Sequence, residues 1–141
     1  MYNVIVADDE KNIREGIVEL IEWEKLGCKV CASMQNGAQV LKYLEEEKIH
    51  VDIIITDIKM PIMDGMELIG MLNERFPDIK VIILTAYSDF TYAQQAIKFQ
   101  VSDFVVKNDF FLELPRAVKK IIEQCEVDAK KCVGREKEIP F

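Results

Sequence analysis

Basic charge, histidine and long apolar runs are all scarce in this chain of 141 residues. Its 18 Lys and Arg stand against 25 Asp and Glu, a net charge of −7. That deficit argues against the chain gripping a nucleic-acid backbone by itself. A single histidine, His50, and no second CxxC beside Cys28-Lys29-Val30-Cys31 leave no complete zinc ligand set. That CxxC lies in an alternating, strand-like stretch, not at a helix start where a thiolate would be stabilised. Cys28, Cys31, Cys125 and Cys132 therefore read as reduced, packed thiols, and His50 as a loop residue ahead of a strand. No apolar stretch approaches the ~20 residues that span a bilayer. Met1-Tyr2-Asn3 lacks the basic start and apolar segment of a secretory signal. A cytoplasmic location without a membrane partner is the expectation.

What is present is a regular alternation of two periods, with half of the residues hydrophobic. Length and composition suit one domain with a single core. Val4–Ala7 is a short apolar run, after which Ile13, Ile17, Leu20 and Ile21 take helical spacing. Cys28 to Met34 reads as a strand, and Val40, Leu41 and Leu44 mark a helix beyond an Asn36-Gly37 turn. Val51 to Thr56 is the third strand. Asp64 reads as an N-cap, with Gly65 opening a helix that carries Leu68, Leu72 and Phe76. Val81–Leu84 is the fourth strand, a helix over 89–99 follows, and Phe104–Val106 is the fifth strand. The last helix is expected to start around Pro115, since proline suits a first turn. This β-α alternation calls for a doubly wound, flavodoxin-like α/β fold. Its five-stranded parallel sheet has helices on both faces and strand order 2-1-3-4-5. The final helix continues a stripe of Leu114, Val118, Ile121, Ile122, Cys125, Ala129 and Cys132, more than one small sheet needs for cover.

Every strand but one runs out into a polar side chain. The first is followed by Asp8-Asp9, the third by Asp57, the fourth by Thr85 and the fifth by Lys107. In a parallel sheet these exits share one edge, where open α/β folds place their ligand sites. Any one acid after a strand is ordinary turn chemistry. The five together are not. Three carboxylates in one crevice raise each other's proton affinity unless a cation joins them. Oxygen ligands without histidine or thiolate select a hard ion, Mg²⁺ above all, which also leaves room for a phosphate oxygen. A carboxylate beside that ion, an ammonium and a hydroxyl is equipped as a nucleophile toward phosphorus.

These residues resemble the receiver domain of two-component response regulators. The matching stretches are VADDE (6–10), DIKMPIMDG (57–65), ILTAYSD (83–89) and FVVK (104–107), within a similarity running from about Val4 to about Ile122. LIEWEKLGCKV (20–30) and SDFTYAQQAIKFQVSDFVVK (88–107) are similar to the YesN/AraC-type group, whose receivers usually precede a helix-turn-helix output module. The resemblance implies that Asp57 accepts a phosphoryl group from a sensor histidine kinase. It implies that Asp9, Asp57 and the backbone carbonyl of Lys59 bind Mg²⁺, with help from Asp8. Thr85 would turn toward the phosphoryl group, Lys107 would pair with it, and Phe104 would occupy the aromatic switch position. The face formed by the fourth helix, fifth strand and fifth helix would then change and dimerise. Residues 1–125 are expected to form the receiver. Residues 126–141 would be an extension toward an absent DNA-binding output domain.

Departures from the family pattern occur at three places. Asn108 stands where the family usually has a proline after a cis peptide, and a cis Lys-Asn bond would cost about 2.5–4 kcal/mol against trans. That favours a trans bond and a differently shaped Lys107 loop. Lys59 and Tyr87 flank the site where the family varies, and Phe104 lacks a hydroxyl, so a switch there rests on packing. Three rivals compete with the switch reading. A phosphatase with an aspartyl-phosphate intermediate would want a second aspartate at position 59, which is Lys59. A flavodoxin-like cofactor binder would want a Gly- or Ser/Thr-rich loop where DDEKN stands. A degenerate or stand-alone receiver, acting only as an interaction module, is disfavoured by the filled acidic positions and favoured only by Asn108.

Overall fold

The structure is a computed structural model that describes residues 1–47, 49–86 and 101–138, with the side chains of 129–138 left out. Five strands form one parallel sheet: β1 (Tyr2–Ala7), β2 (Cys28–Met34), β3 (Ile53–Asp57), β4 (Lys80–Thr85) and β5 (Asp103–Val106). Their order is β2-β1-β3-β4-β5, as the alternation requires. Helices α1 (Lys11–Leu20), α2 (Gly37–Glu46) and α3 (Gly65–Arg75), a C-terminal helix over Phe110–Glu138, and 3₁₀ turns at Trp23–Leu26 and Lys107–Asp109 complete the described elements. The helix expected over 89–99 lies outside the described residues.

Alternation along the strands sorts the core into two layers. Val4, Val6, Ile53, Ile55, Ile82, Leu84 and Val105 face α1 and the C-terminal helix, meeting Ile17, Leu114, Val118 and Ile121. Ile5, Ala7, Ile54, Val81 and Ile83 face α2 and α3, meeting Val40, Leu41, Leu68, Ile69 and Leu72. Both faces of the central strands are thus covered, which explains their near-continuous apolar sequence. The CxxC pair divides between the layers. Cys28 packs in the first and Cys31 against the second, so the two thiols point away from each other. Burial pushes the Cys28 thiol up to about 11, consistent with a packed, unreactive group. Among the described side chains Cys28, Cys31 and Cys125 are free thiols. His50 is an exposed loop residue whose Nε2 lies 3.1 Å from Asp52 Oδ1.

Several boundaries differ from the sequence expectation. β3 starts two residues later than Val51; just ahead of it the Asp52 carboxylate, rather than a backbone carbonyl, accepts the Asn3 amide at 2.8 Å. Asn36-Gly37 is no free turn. Asn36 is the buried N-cap of α2, its Oδ1 accepting the Gln39 amide at 2.9 Å, and Gly37 is the first helical residue. The largest shift is in the C-terminal helix, which begins at Phe110 and holds Pro115 inside it. A 3₁₀ turn over Lys107–Asp109 feeds directly into this helix, and Phe110 already packs against the first core layer. The apolar face therefore opens before the proline. Pro115 has no amide for the carbonyl of Phe111, an exposed residue. Among the described residues no peptide bond is cis, so Lys107–Asn108 is trans, the isomer that the cost of a cis Lys-Asn bond favours. No described helix is long and apolar enough to cross a membrane.

Candidate functional site

Strand register places the polar exits side by side. Ala7 pairs with Thr56 across β1 and β3, so Asp8 follows level with Asp57. Asp57 pairs with Leu84 on β4, and Thr85 pairs with Val106 on β5, one residue short of Lys107. Asp57 and Thr85 are each the last residue of their strand, not the first beyond it. Asp8, Asp57 and Thr85 are all buried.

Asp57 is held through both carboxylate oxygens. Oδ1 accepts the Ile58 amide at 2.7 Å, and Oδ2 accepts Lys107 Nζ at 2.8 Å. Its own carbonyl receives the Thr56 hydroxyl at 2.9 Å. Behind it the chain turns tightly into α3. The Gly65 amide donates to the Ile58 carbonyl at 2.7 Å, and a Cβ on Gly65 would stand 2.1 Å from the Asp57 carbonyl oxygen. Only glycine fits so close an approach. Asp64 caps α3, accepting the Glu67 amide at 2.8 Å, as its position before Gly65 predicts.

Lys107 Nζ reaches three acids: Asp57 Oδ2 at 2.8 Å, Glu10 Oε1 at 3.1 Å and Asp8 Oδ2 at 3.2 Å. Burial alone would lower the pKa of this lysine. Its hydrogen bond to Asp57 and the charges of Asp57 and Asp8 outweigh burial and raise it, so the ammonium stays charged. Asp8 is pushed up to about 6, by burial first, with the charge of Asp57 adding to the rise. Asp57 is also raised, again mainly by burial and against the pull of Lys107.

The donor chemistry fits a hard cation. Oxygens of Asp8, Asp9, Glu10 and Asp57 all lie within 4.8 Å of one another. Asp8 Oδ2 is buried with no hydrogen bond among the described residues, its 3.2 Å approach to Lys107 being out of line. A buried carboxylate oxygen left without a donor is costly, and a divalent ion would complete it. The acids of this cluster could therefore hold a metal ion.

Of the other expected site residues, Thr85 donates its hydroxyl to the Ala86 carbonyl at 2.9 Å. Phe104 is half-buried against the α2/α3 layer, opposite Ile83 in register. Lys59 is exposed, two residues past Asp57. Tyr87 lies outside the described residues. Glu10 was not singled out by sequence reasoning. The signal was present in the unbroken run Asp8-Asp9-Glu10, but an acid at a helix start has an ordinary explanation in turn and capping chemistry. Arg14 was equally unmarked, and its Nη1 donates to the Asp8 carbonyl at 2.7 Å.

Sheet order and acidic carboxyl rim together define the class: a flavodoxin-like α/β protein of the receiver type. The chain belongs to the response regulator receiver domain family, whose model matches residues 4–119. It is 38% identical over 107 residues to the uncharacterized transcriptional regulatory protein YesN of Bacillus subtilis, covering 76% of this chain and 28% of YesN. It is 30% identical over 128 residues to the transcriptional regulatory protein HptR of Staphylococcus aureus, covering 88% of this chain and 49% of HptR. The chain thus spans between about a quarter and a half of the length of these relatives. The REC domain of AraT, a response regulator from Geobacillus stearothermophilus, superposes with a TM-score of 0.78 at 37% identity, covering 89% of this chain and 98% of that one. A two component transcriptional regulator AraC from Clostridium phytofermentans gives 0.75 at 31% identity, over 87% and 94% of the two chains.

Proposed function

We propose that this receiver is a phosphorylation-driven switch in which Asp57 takes a phosphoryl group from the phosphohistidine of a sensor histidine kinase. The observation that carries this reading is Lys107 Nζ at 2.8 Å from Asp57 Oδ2, inside a rim of Asp8, Asp9 and Glu10. A carboxylate oxygen of Asp57 attacks phosphorus, and the P–N bond breaks with its electron pair returning to the imidazole. The product is an acyl phosphate. Loss of the group is the attack of water on that phosphorus, with cleavage of the new P–O bond, return of the Asp57 carboxylate and release of inorganic phosphate. Mg²⁺ bound by Asp8, Asp9, Asp57 and the backbone carbonyl of Lys59 would supply positive charge to the phosphoryl oxygens. Lys107 is already charged beside the acceptor and needs only to follow the new oxygens. Thr85 exchanges its bond to the Ala86 carbonyl for one to the phosphoryl group, and Phe104 packs deeper as it does so. The chain catalyses only its own modification and is not a conventional enzyme.

Residues 1–125 form the receiver in this reading, and 126–141 extend a signalling helix toward a DNA-binding output. The modification changes the surface formed by β5, the C-terminal helix and the helix expected over 89–99, and two copies pair through it. Transcriptional regulators among relatives about two to three times as long support that output. The protein would work in the cytoplasm, touching DNA only through the output module. Asn108 alone favours a stand-alone or degenerate interaction module, and the completed contact between Lys107 and Asp57 weighs against it.

Intact-mass analysis tests the reading. A small phosphodonor or beryllofluoride, with Mg²⁺, is expected to modify wild type and leave Asp57→Ala unmodified. Sedimentation with and without beryllofluoride is expected to show a monomer turning into a dimer. An unmodified wild type would remove the acceptor role, and an unchanged monomer would remove activation by pairing.

A further inference from the structure

We propose that Glu10 is the positioning residue of Lys107, holding its ammonium over Asp57 from the solvent side and so setting the rate at which Asp57 is phosphorylated. This rests on the function proposed above and adds a residue to its machinery. An ammonium has three donors, and Lys107 Nζ donates to Asp57 Oδ2 at 2.8 Å, to Glu10 Oε1 at 3.1 Å and, most weakly, to Asp8 Oδ1 at 3.5 Å. Asp8 and Asp57 are the inner pair, both almost wholly buried, whereas the Glu10 side chain is 61% exposed. The cation is therefore gripped from two sides.

The backbone of Glu10 shows that this reach is built in. Glu10 occupies the N-cap position of α1, and its side chain makes no capping bond, leaving the carboxylate free to reach elsewhere. The first turn of α1 holds no other acid to replace it. The Glu10 amide is itself fixed, donating to Asp8 Oδ1 at 2.9 Å, and Arg14 holds the Asp8 carbonyl one turn later. The carboxylate thus leaves a pinned backbone to reach Lys107.

Lys107 has need of such a tether. It opens a 3₁₀ turn joined by trans peptides, without a proline at Asn108 to stiffen the connection. When Asp57 gains a phosphoryl group, its oxygens change place and charge. Glu10 is the partner least altered by that event, because it lies at the exposed edge and on another element.

The test is the phosphorylation rate with acetyl phosphate and Mg²⁺ in wild type, Glu10→Ala, Glu10→Gln, Lys107→Ala and the Glu10→Ala/Lys107→Ala pair. Loss of one charged hydrogen bond to Lys107 is expected to slow Glu10→Ala roughly tenfold at saturating donor, with little change in the half-saturating donor concentration. Glu10→Gln, whose amide oxygen can still accept from Nζ, is expected to keep most of the rate. In the Lys107→Ala background the further change is expected to do nothing. A second readout is independent of activity: the Lys107 ammonium resonance, slowed in exchange with water in wild type, is expected to broaden in Glu10→Ala. A Glu10→Ala rate equal to or above wild type would overturn the proposal, as would an equal effect with and without Lys107. Wild type that takes no phosphoryl group would fail a different claim, the acceptor role of Asp57.

Discussion

Asp8 carries the clearest conflict in the molecule, a fully buried carboxylate with one oxygen lacking a hydrogen bond. Its folded pKa of about 6 lies above that of an unfolded aspartate. The fold therefore favours the protonated form. Stability from this group is fully present below about pH 4 and is lost as pH rises through about 6, a cost on the order of 2–3 kcal/mol once ionised. Denaturant titrations without divalent ions should show a more stable protein at about pH 5 than at about pH 7, with Asp8→Asn reducing that slope. Millimolar Mg²⁺ should stabilise near neutral pH and lose its effect as Asp8 protonates. A neutral-pH midpoint unmoved by Mg²⁺ would contradict the fit of the acids to a cation. Ile62 carries a second conflict. It holds φ at 68° at the centre of a γ-turn closed by the Met63 amide on the Pro61 carbonyl at 2.7 Å. A β-branched residue there costs ~1–3 kcal/mol, so Ile62→Asn should raise the urea midpoint by the equivalent of about 1 kcal/mol. An unchanged midpoint would mean that the turn stores no strain. Asp8, Asp57, Thr85 and Lys107 were legible from their common place at strand ends. Glu10 and Ile62 were not. One hides in ordinary turn chemistry, and the other depends on a backbone angle that Pro-Ile-Met does not announce.

Helix α3 is aimed at the acceptor by a contact that tolerates no side chain. Gly65→Ala would drive its Cβ into the Asp57 carbonyl, 2.1 Å away, so the helix start or the strand end must move. A loss of roughly 2–4 kcal/mol and a large drop in Asp57 modification are expected, read by thermal unfolding and intact mass. Full stability in Gly65→Ala would contradict the tight seating of α3. The C-terminal helix is fixed instead by its apolar face. Leu114 is fully buried against the sheet, and Leu114→Ala should cost about 2–5 kcal/mol by the cavity it leaves. Periods of two and 3.6 made these elements readable, because burial on both sheet faces leaves little else for such residues to do. Ends were less readable. Phe110 extends the last helix ahead of Pro115 through packing against Gly16 on α1, its ring 3.4 Å from where a Gly16 Cβ would stand. That contact joins residues 94 apart in the chain and has no local sequence mark.

The net charge of −7 argues against direct DNA binding by this chain. Its 29-residue C-terminal helix, about 43 Å long at the usual rise, exceeds the strands it covers by a factor of two or more. In the proposed switch such a rod would carry a change at Lys107, three residues before it starts, well past the sheet. The signalling role of that helix depends on Asp57 being the group that reacts. The most direct measurement is residue mapping of the acyl phosphate: treatment with a phosphodonor and Mg²⁺, borohydride reduction, and peptide sequencing by mass spectrometry. Reduction converts a phosphorylated aspartate to homoserine. The predicted result is homoserine at position 57 alone, dependent on Mg²⁺ and absent in Asp57→Ala. Homoserine at another acid, or none at position 57, would contradict the account.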